Sequence, residues 1–173
     1  MPQNEANAWD NYAFIALGSN LGDSLAILQR AFLKLQDSSK EPVLRSSIWQ
    51  STPVDCPPNS PLFLNAAAAL VPFPSETPES LLEKLKTTES AFGRRPKLVL
   101  NEPRPLDLDL ITFRREIRRS AALTLPHPRA HQRRFVLQPL CEIAPDLVLP
   151  GREKSARDLL EQLVSDEKLE RIA

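Results

Sequence analysis

The chain has 173 residues, of which 42% are hydrophobic and 25% are charged, and its formal net charge is zero. These values describe an ordinary soluble globular protein of one-domain length, and no apolar run approaches the ~20 residues that would span a bilayer. The start of the chain lacks the basic and then apolar order of a signal peptide. We therefore expect a cytoplasmic protein with a mobile tail at residues 1–11 and a single domain at residues 12–173.

The first predicted elements are a strand and a helix joined by a glycine-rich turn. AFIAL, residues 13–17, is a short apolar strand, and GSNLGDS follows it. Asp23 or Ser24 is suited to the N-cap of a helix. Apolar residues then recur at helical spacing through about residue 37, which predicts an amphipathic helix.

Two further strands and a second helix follow. SSIWQST and LFLNAAAALV predict strands at about 46–51 and 62–71, joined by a proline-rich loop. Thr77 is a helix N-cap with Pro78 at the first helical position, and the helix is expected to end at Gly93. The basic segment RRPKLVLNEP, residues 94–103, has no clear periodicity, and it is either a functional lid or a plain surface connection.

The next predicted strand completes a recognisable order of elements. RPLDLDLITF, residues 104–113, gives the order β-α-β-β-α-β, which is the ferredoxin-like arrangement of an antiparallel sheet with helices packed on one side. The remaining residues, 114–173, are expected to add an arginine-rich hairpin at 114–119 and short helices, the last at about 154–164.

The strand at 104–113 carries two carboxylates among apolar residues. Strand alternation puts Asp107 and Asp109 on one face, about 7 Å apart. Like charges this close repel unless a cation lies between them. Two interpretations remain open: a metal site, or ion pairs with arginines, of which Arg104 is nearest in sequence. Alternation predicts these two faces: Leu106, Leu108 and Leu110 on one, and Asp107, Asp109, Ile111 and Phe113 on the other.

Positive charge is concentrated in one segment of this neutral chain. Residues 94–134 contain eleven Lys and Arg against four acidic residues, a net charge of +7. Such a segment indicates an anionic ligand, either nucleic acid or a phosphorylated small molecule, although the arginines at 114–119 also fit a solvated hairpin. Carboxylates embedded among the arginines favour a metal-bound polyphosphate over nucleic acid.

Several motifs together resemble one enzyme family. The sequence is similar to 6-hydroxymethyl-7,8-dihydropterin pyrophosphokinases across about residues 12–151. GSNLG alone would be weak evidence, whereas the combination of the LDLDL and LTLPHPR motifs is specific. The matching stretches are AFIALGSNLGD (13–23), FLNAAAAL (63–70), ESAFGR (89–94), PRPLDLDL (103–110) and LTLPHPRAHQRRFVLQPLCEIAPDL (123–147).

The resemblance implies a ferredoxin-like α/β/α sandwich and the transfer of pyrophosphate from ATP to the hydroxymethyl group of the pterin, with release of AMP in folate biosynthesis. It implies that Asp107 and Asp109 hold two Mg²⁺ ions and that Arg94 and Arg104 neutralise the phosphates. It assigns to ATP binding Glu89, Leu110, Thr124, His127 and Arg133. It implies no partner beyond these small molecules, neither nucleic acid nor a membrane, and we expect a monomer.

The resemblance also implies a pocket for the pterin. Phe63 and Phe135 match the pair of aromatic residues that sandwich the flat heterocycle. Asn65 can offer both a donor and an acceptor to its edge. The residues that match the loop closing the other edge are Ser51, Pro53 and Val54.

Some residues depart from the common pattern of the family. Pro105 stands where threonine is frequent, Pro96 stands where a second arginine is expected, and residues 100–102 replace basic, aromatic and glycine residues of some members. Two alternatives follow. One is an inactive relative that keeps the fold and binds nucleotide, but the retained Asp pair argues against this alternative. The other is a ferredoxin-like RNA-binding module, whose nucleic-acid backbone the two acids would repel.

Overall fold

Strands and helices follow one another in the ferredoxin-like order, and further elements are added at the C-terminal end. A computed structural model describes residues 7–53 and 55–173. Its strands are β1 (Ala13–Ser19), β2 (Leu44–Arg45), β3 (Trp49–Ser51), β4 (Phe63–Leu70), β5 (Asp107–Phe113), β6 (Arg118–Arg119), β7 (Thr124–Leu125) and β8 (Leu169–Arg171). Its helices are α1 (Ser24–Leu35), α2 (Pro78–Ala91), α3 (Arg134–Ile143) and α4 (Ala156–Gln162), with 3₁₀ turns at Gln36–Ser38 and Ala130–Gln132.

The main sheet is antiparallel and separates two cores. Its strand order is β5-β1-β4-β3-β8, with β2 also paired to β4, while β6 and β7 form a separate hairpin. Leu28 of α1 and Leu81 of α2 pack into the core on one face. Val136 of α3 and Ala156 of α4 pack into the core on the other. The predicted α/β/α sandwich is therefore confirmed, because helices cover both faces rather than one.

Capping residues set the helix boundaries where the sequence places them. The Asp23 side chain accepts a hydrogen bond from the Ala26 N–H at 3.2 Å and begins α1. Thr77 accepts the Ser80 N–H at 3.1 Å and begins α2. Gly93 follows the end of α2 with a φ of +96°, a conformation that favours glycine. Both predicted helices are confirmed.

The strand predicted at 46–51 is interrupted. Only Trp49–Ser51 forms β3, and Leu44–Arg45 forms the separate short strand β2. Between them the Ser46 side-chain Oγ accepts the Ala67 N–H at 2.8 Å, while the Ser46 N–H donates to the Ala67 carbonyl at 2.9 Å. The serine side chain therefore takes a place that a strand carbonyl would hold, and regular pairing stops there.

The predicted face of Phe113 is wrong. Phe113 is fully buried in the same core as the three leucines of its strand, whereas Ile111 lies in the opposite core. The reason is a shift in register: Ile15 pairs with Leu110, but Phe14 pairs with Thr112. This bulge adds one residue to β5 and turns the following side chain to the other face.

The C-terminal half contains one strand that the sequence analysis missed. β8 pairs with β3 and extends the sheet, but its three residues lie in a short, charged segment with no alternation. The hairpin strands lie at 118–119 and 124–125, later than the predicted 114–119, and α4 confirms the helix expected at about 154–164. Among the described residues, none of the helices has the length and apolar character to cross a membrane.

The expected N-terminal tail lies partly outside the described residues, which begin at residue 7. Within its described part, Trp9 packs edge-on against Tyr12, with ring centroids 5.3 Å apart, and both border the second core. Asp10 pairs with Arg115 at 3.4 Å. The mobility of the tail stays a prediction.

Candidate active site

A pocket opens at one end of β1, β4 and β5. Strand residues form its floor, two loops form its rim, and the start of α3 forms one wall. It brings together eight of the predicted site residues from four separate stretches of sequence. Its lining residues are Ala16, Leu17, Gly18, Ser51, Thr52, Asp55, Cys56, Phe63, Asn65, Asn101, Arg104, Asp107, Asp109, Arg133 and Phe135.

The register of three neighbouring strands sets the floor of the pocket. Gly18 of β1 pairs with Asn65 of β4 on one side and with Asp107 of β5 on the other. Since adjacent strands lie about 4.8 Å apart, the amide of Asn65 and the carboxylate of Asp107 start from backbones roughly 10 Å apart. Gly18 has no side chain, so the space between them stays open. One wall is therefore uncharged and polar, and the other is acidic.

Asp107 is held by two arginines. Its Oδ1 accepts from Arg94 Nη1 at 2.5 Å, and its Oδ2 accepts from Arg104 Nη2 at 3.3 Å. Burial alone would raise the pKa of Asp107, but the charges of Arg104 and Arg94 outweigh it and lower the pKa below its usual value. This carboxylate is therefore fully ionised at neutral pH.

Glu89 of α2 belongs to the same hydrogen-bond network as Asp107 and Arg94. Its Oε2 accepts a hydrogen bond from Arg94 Nη1 and another, at 3.0 Å, from the backbone N–H of Leu108. Burial raises the pKa of Glu89 despite these two bonds. A buried glutamate thus fixes Arg94 against Asp107 and joins α2 to the Asp strand.

Asp109 differs from Asp107, although the two share the same face of the strand. Within residues 7–53 and 55–173, no hydrogen bond or ion pair to its carboxylate exists, and it lines the pocket. Burial and the neighbouring charges of Asp107 and Glu89 raise the pKa of Asp109 to about 7. A partly buried anion without a partner among the described residues is costly, which makes Asp109 a suitable ligand for a cation from solution.

The sequence left two interpretations of the acid pair open, ion pairs with arginines or a metal site, and each of them fits one of the two residues. Asp107 pairs with arginines, whereas the Asp109 carboxylate has no partner in the part of the chain that the structure describes and can ligate a hard cation such as Mg²⁺. A cation at Asp109 would also have the near oxygen of Asp107 within the same pocket. No cluster of three or more His, Cys, Asp or Glu capable of holding a metal occurs in the described part of the chain. The site fits an ion that brings further oxygen ligands of its own.

Two aromatic rings with stacked guanidinium groups line the pocket. The Cζ atom of Arg104 lies 5.2 Å from the ring centroid of Phe63, and that of Arg133 lies 5.5 Å from the centroid of Phe135. Arg104 Nε is buried and has no hydrogen-bond partner among the described residues. Each of the two predicted aromatic walls therefore has a guanidinium group beside it. This combination suits a flat heterocycle that binds close to an anionic group.

Asn65 is oriented by a hydrogen bond from the neighbouring strand. Its Nδ2 donates to Ser51 Oγ at 2.6 Å, and both residues are buried in the pocket. Because Nδ2 is engaged, the amide oxygen of Asn65 remains to receive a donor from a ligand. Thr52 and Asp55 line the pocket beside Ser51, whereas Pro53 does not, and Val54 lies outside the described residues.

The residues predicted to bind ATP are less closely gathered. Arg133 lines the pocket, but the side chain of Leu110 lies in the core on the opposite face of β5, and Thr124 is exposed on β7. Burial and the charge of Arg133 lower the pKa of His127 to about 4, so this ring is neutral at pH 7. Its Nδ1 accepts the Arg129 N–H at 3.2 Å, which leaves the proton on Nε2 as a donor.

Sequence reasoning missed several pocket residues, among them one on β1 and three in loops. Gly18, Asp55, Cys56 and Asn101 all line the pocket. Asp55 and Asn101 adopt left-handed backbone conformations, with φ of 52° and 54°, and Asn101 Nδ2 donates to the Asp55 carbonyl at 2.7 Å. Asparagine and aspartate in irregular loops signal such conformations, but not that two loops meet.

Comparison with known proteins finds similarity to one enzyme family. A family model described as 7,8-dihydro-6-hydroxymethylpterin-pyrophosphokinase (HPPK) matches residues 14–145. A 2-amino-4-hydroxy-6-hydroxymethyldihydropteridine pyrophosphokinase from Synechocystis is 40% identical, with 87% of this chain and 75% of the relative covered. One from Haemophilus influenzae is 39% identical, with 82% and 86% covered.

Longer proteins contain a similar segment. The folic acid synthesis protein fol1 of Pneumocystis carinii is 36% identical over 91% of this chain, which spans only 21% of that protein. A crystal structure of wild-type Plasmodium falciparum HPPK-DHPS with SDX-DHP matches with a TM-score of 0.71 at 13% identity, over 88% of this chain and 44% of that one. At this identity the structural match supports the fold alone.

Proposed function

The chain belongs to the 7,8-dihydro-6-hydroxymethylpterin-pyrophosphokinase family, and from this premise we propose that it transfers pyrophosphate from ATP to 6-hydroxymethyl-7,8-dihydropterin. In this reaction the hydroxymethyl oxygen bonds to the β-phosphorus of ATP, and the bond from that phosphorus to the α-phosphate oxygen breaks. The hydroxyl proton passes to solvent and AMP leaves. The product enters folate synthesis, the process named for the fol1 relative.

The observation that carries this proposal is the arrangement around Gly18. Within one pocket, Asn65 and Asp107 flank this glycine on adjacent strands, with Phe63 beside them and Asp109 two residues along the same strand. A pterin held at Asn65 would present its hydroxymethyl group toward the acids. A phosphate chain held near the acids would then meet that group, so the chemistry is chiefly one of positioning.

The pterin is placed by stacking and by one amide. The rings of Phe63 and Phe135 bury the faces of the heterocycle, and the Asn65 oxygen accepts a hydrogen bond from its edge. Ser51 keeps the Asn65 amide in this orientation. The pocket thereby selects a flat molecule with a donor on its edge.

The phosphates are placed by arginines. Arg104 has a buried Nε with no partner in the described residues, and Arg133 reaches the pocket from the start of α3. Guanidinium groups suit phosphate because they donate in pairs, and they spread positive charge over the oxygens on which negative charge develops. Arg94 is fixed by Glu89, and it therefore neutralises Asp107 at a constant position.

Two Mg²⁺ ions are part of the proposal, with Asp107 and Asp109 as their protein ligands. Mg²⁺ bound there would draw charge from the transferred group, and its preference for few protein carboxylates plus phosphate oxygens fits a pair of acids on one strand face. Asp109 contributes a carboxylate without a partner, and Asp107 contributes one that must turn partly away from Arg104. Monomeric state and a cytoplasmic location are also proposed, on the sequence analysis alone.

The direct test is to incubate the protein with ATP, Mg²⁺ and the hydroxymethyl pterin and to separate the nucleotides by chromatography. We expect AMP in a one-to-one ratio with pyrophosphorylated pterin, and a loss of about 10²-fold or more in turnover for Asp109→Asn. Asp146→Asn, at an aspartate with 78% side-chain exposure, is the matched control and should keep full turnover. Formation of ADP, or equal rates for both variants, would contradict the proposal.

A further inference from the structure

The C-terminal segment 163–171, named here the C-terminal brace, supports the pocket from outside. It lies beyond residues 14–145, which the family model matches. Its strand β8 pairs with β3 and places Leu169 opposite Ser51. Its Glu167 contacts the first turn of α3, where Phe135 lies. One short segment therefore touches the elements that carry two different walls of the pocket.

The contact with α3 replaces a missing helix cap. Arg133 occupies the N-cap position of α3 but makes no side-chain capping hydrogen bond. Phe135 is the second residue of the helix, so its backbone N–H has no partner inside the helix. Glu167 Oε2 accepts this N–H at 3.0 Å from 32 residues away. Its carboxylate thus performs the usual role of an N-cap side chain and also complements the helix dipole.

A second bond ties the brace to the same turn. Arg134 Nη2 donates to the Leu163 carbonyl at 3.2 Å, and the Glu167 N–H donates to Ser165 Oγ at 3.1 Å, which shapes the turn that presents Glu167. On its other side, β8 prevents β3 from being an edge strand of only three residues. Loss of the brace would therefore free both the start of α3 and the strand of Ser51.

We propose that Glu167 is a positioning residue for the pterin, acting through Phe135. The inference rests on the proposed function, because it assigns Phe135 to the pterin pocket. A fixed Phe135 backbone fixes the plane of its ring, and the ring in turn supports Arg133, whose Cζ lies 5.5 Å from its centroid. Removal of the Glu167 carboxylate frays the first turn and spreads the ring over several orientations. Pterin binding then weakens most, because ATP loses only the support of Arg133 and keeps the contacts at Asp107 and Arg104, which lie on other elements.

The test compares four full-length proteins: the wild type, Glu167→Ala, Glu167→Gln and Glu170→Ala. Glutamine keeps an acceptor oxygen at the same position. Glu170 is the matched control, because it is an exposed glutamate of the same brace whose side chain makes no hydrogen bond or ion pair in residues 7–53 and 55–173. Steady-state AMP release gives KM for pterin and for ATP separately, and NMR hydrogen exchange reports on the Phe135 amide.

For Glu167→Ala we expect the pterin KM to rise about tenfold, with the ATP KM within about twofold of the wild type. Exchange of the Phe135 amide should accelerate about tenfold, because its acceptor is gone. Glu167→Gln should restore most of both values, and Glu170→Ala should match the wild type. If Glu167→Ala melts below the assay temperature, Glu167→Asp replaces it. The shorter side chain keeps the charge but moves the carboxylate away from the Phe135 N–H.

Three results would overturn the inference: equal rises in KM for both substrates, no difference between Glu167→Ala and Glu170→Ala, or unchanged exchange at Phe135. A wild-type protein that makes no AMP from ATP and the pterin is a different outcome. It would overturn the proposed function, and with it the pterin role of Phe135, whatever the exchange data show.

Discussion

Replacement of Asp109 by asparagine should stabilise the ligand-free protein while it removes activity. In the absence of nucleotide and metal, the Asp109 carboxylate is partly buried near Asp107 and Glu89, and these surroundings raise its pKa to about 7. Asparagine has nearly the same shape and carries no charge. The variant therefore loses a repulsion that the wild type retains for the sake of its ligand.

The sign and size of the effect follow from proton linkage. The folded protein keeps the Asp109 proton up to about pH 7, whereas the unfolded chain loses it near 3.8, so wild-type stability falls as pH rises through this window. At about 1.36 kcal/mol per pKa unit the full penalty is roughly 4 kcal/mol above pH 7. Water entering the open pocket screens part of it, and we expect Asp109→Asn to gain roughly 2–4 kcal/mol at pH 8.

Asp107→Asn is the matched variant, with the opposite sign. Burial opposes ionisation of Asp107, but Arg104 and Arg94 lower its pKa, so its charge stabilises the fold above about pH 4 and this stability is lost as pH falls through the lowered pKa. Asparagine leaves Arg104 without its carboxylate partner and leaves Arg94 with Glu89 alone. Their side chains are only 16% and 15% exposed, and we expect a loss of roughly 2–4 kcal/mol at pH 8.

Thermal and urea denaturation in EDTA at pH 8 and pH 5 measure both effects. At pH 8 the melting temperature of Asp109→Asn should exceed that of the wild type by about 5–15 °C, and that of Asp107→Asn should fall below it. At pH 5 the gain from Asp109→Asn should shrink by about half or more, because the wild-type carboxyl is then largely protonated. A gain that is absent at pH 8, or equal at both pH values, would refute the electrostatic reasoning.

Three further substitutions test separate parts of the site. Phe135→Ala should raise the pterin KM by about 10–100-fold and the ATP KM much less, because the ring stacks on the pterin. Phe73→Ala removes an exposed ring and should change neither KM. Equal losses for both substrates would argue against stacking. Arg94→Lys keeps the charge but loses the planar group that bonds both acids, and turnover should fall about tenfold or more; full activity would show that charge alone suffices. Asn101→Gly keeps the left-handed backbone but removes the 2.7 Å hydrogen bond to the Asp55 carbonyl. The rate of pterin release, measured by stopped flow, should become about 2–10-fold faster. An unchanged rate would mean that this bond between the loops of Asn101 and Asp55 does not help to retain the pterin.

The sequence predicts the fold well where local signals and periodicity agree. Asp23 and Thr77 cap the two helices of the first half as expected, because capping depends on a few neighbouring residues. β8 was missed, since a strand of one leucine and two charged residues shows no period, and its pairing depends on β3, more than a hundred residues earlier. The side of Phe113 was wrong because a bulge depends on the partner strand, which alternation within one strand does not reveal.

In the candidate site, too, local patterns were predicted and contacts between distant segments were not. Strand alternation correctly places Asp107 and Asp109 in one pocket. It leaves open whether a metal or an arginine neutralises them, because the answer depends on Arg94, which reaches Asp107 from across a loop and is held there by Glu89. The meeting of Asn101 with Asp55 could not be predicted either, since neither loop has a period that fixes its course.

The most direct measurement is a crystal structure of the protein grown with Mn²⁺ in place of Mg²⁺ and a non-hydrolysable ATP analogue. The account predicts anomalous peaks bound by the carboxylates of Asp107 and Asp109 and by phosphate oxygens, with Arg104 turned from Asp107 toward the phosphates. An analogue bound in the pocket with no metal between the two acids, and both arginines still paired to Asp107, would contradict it.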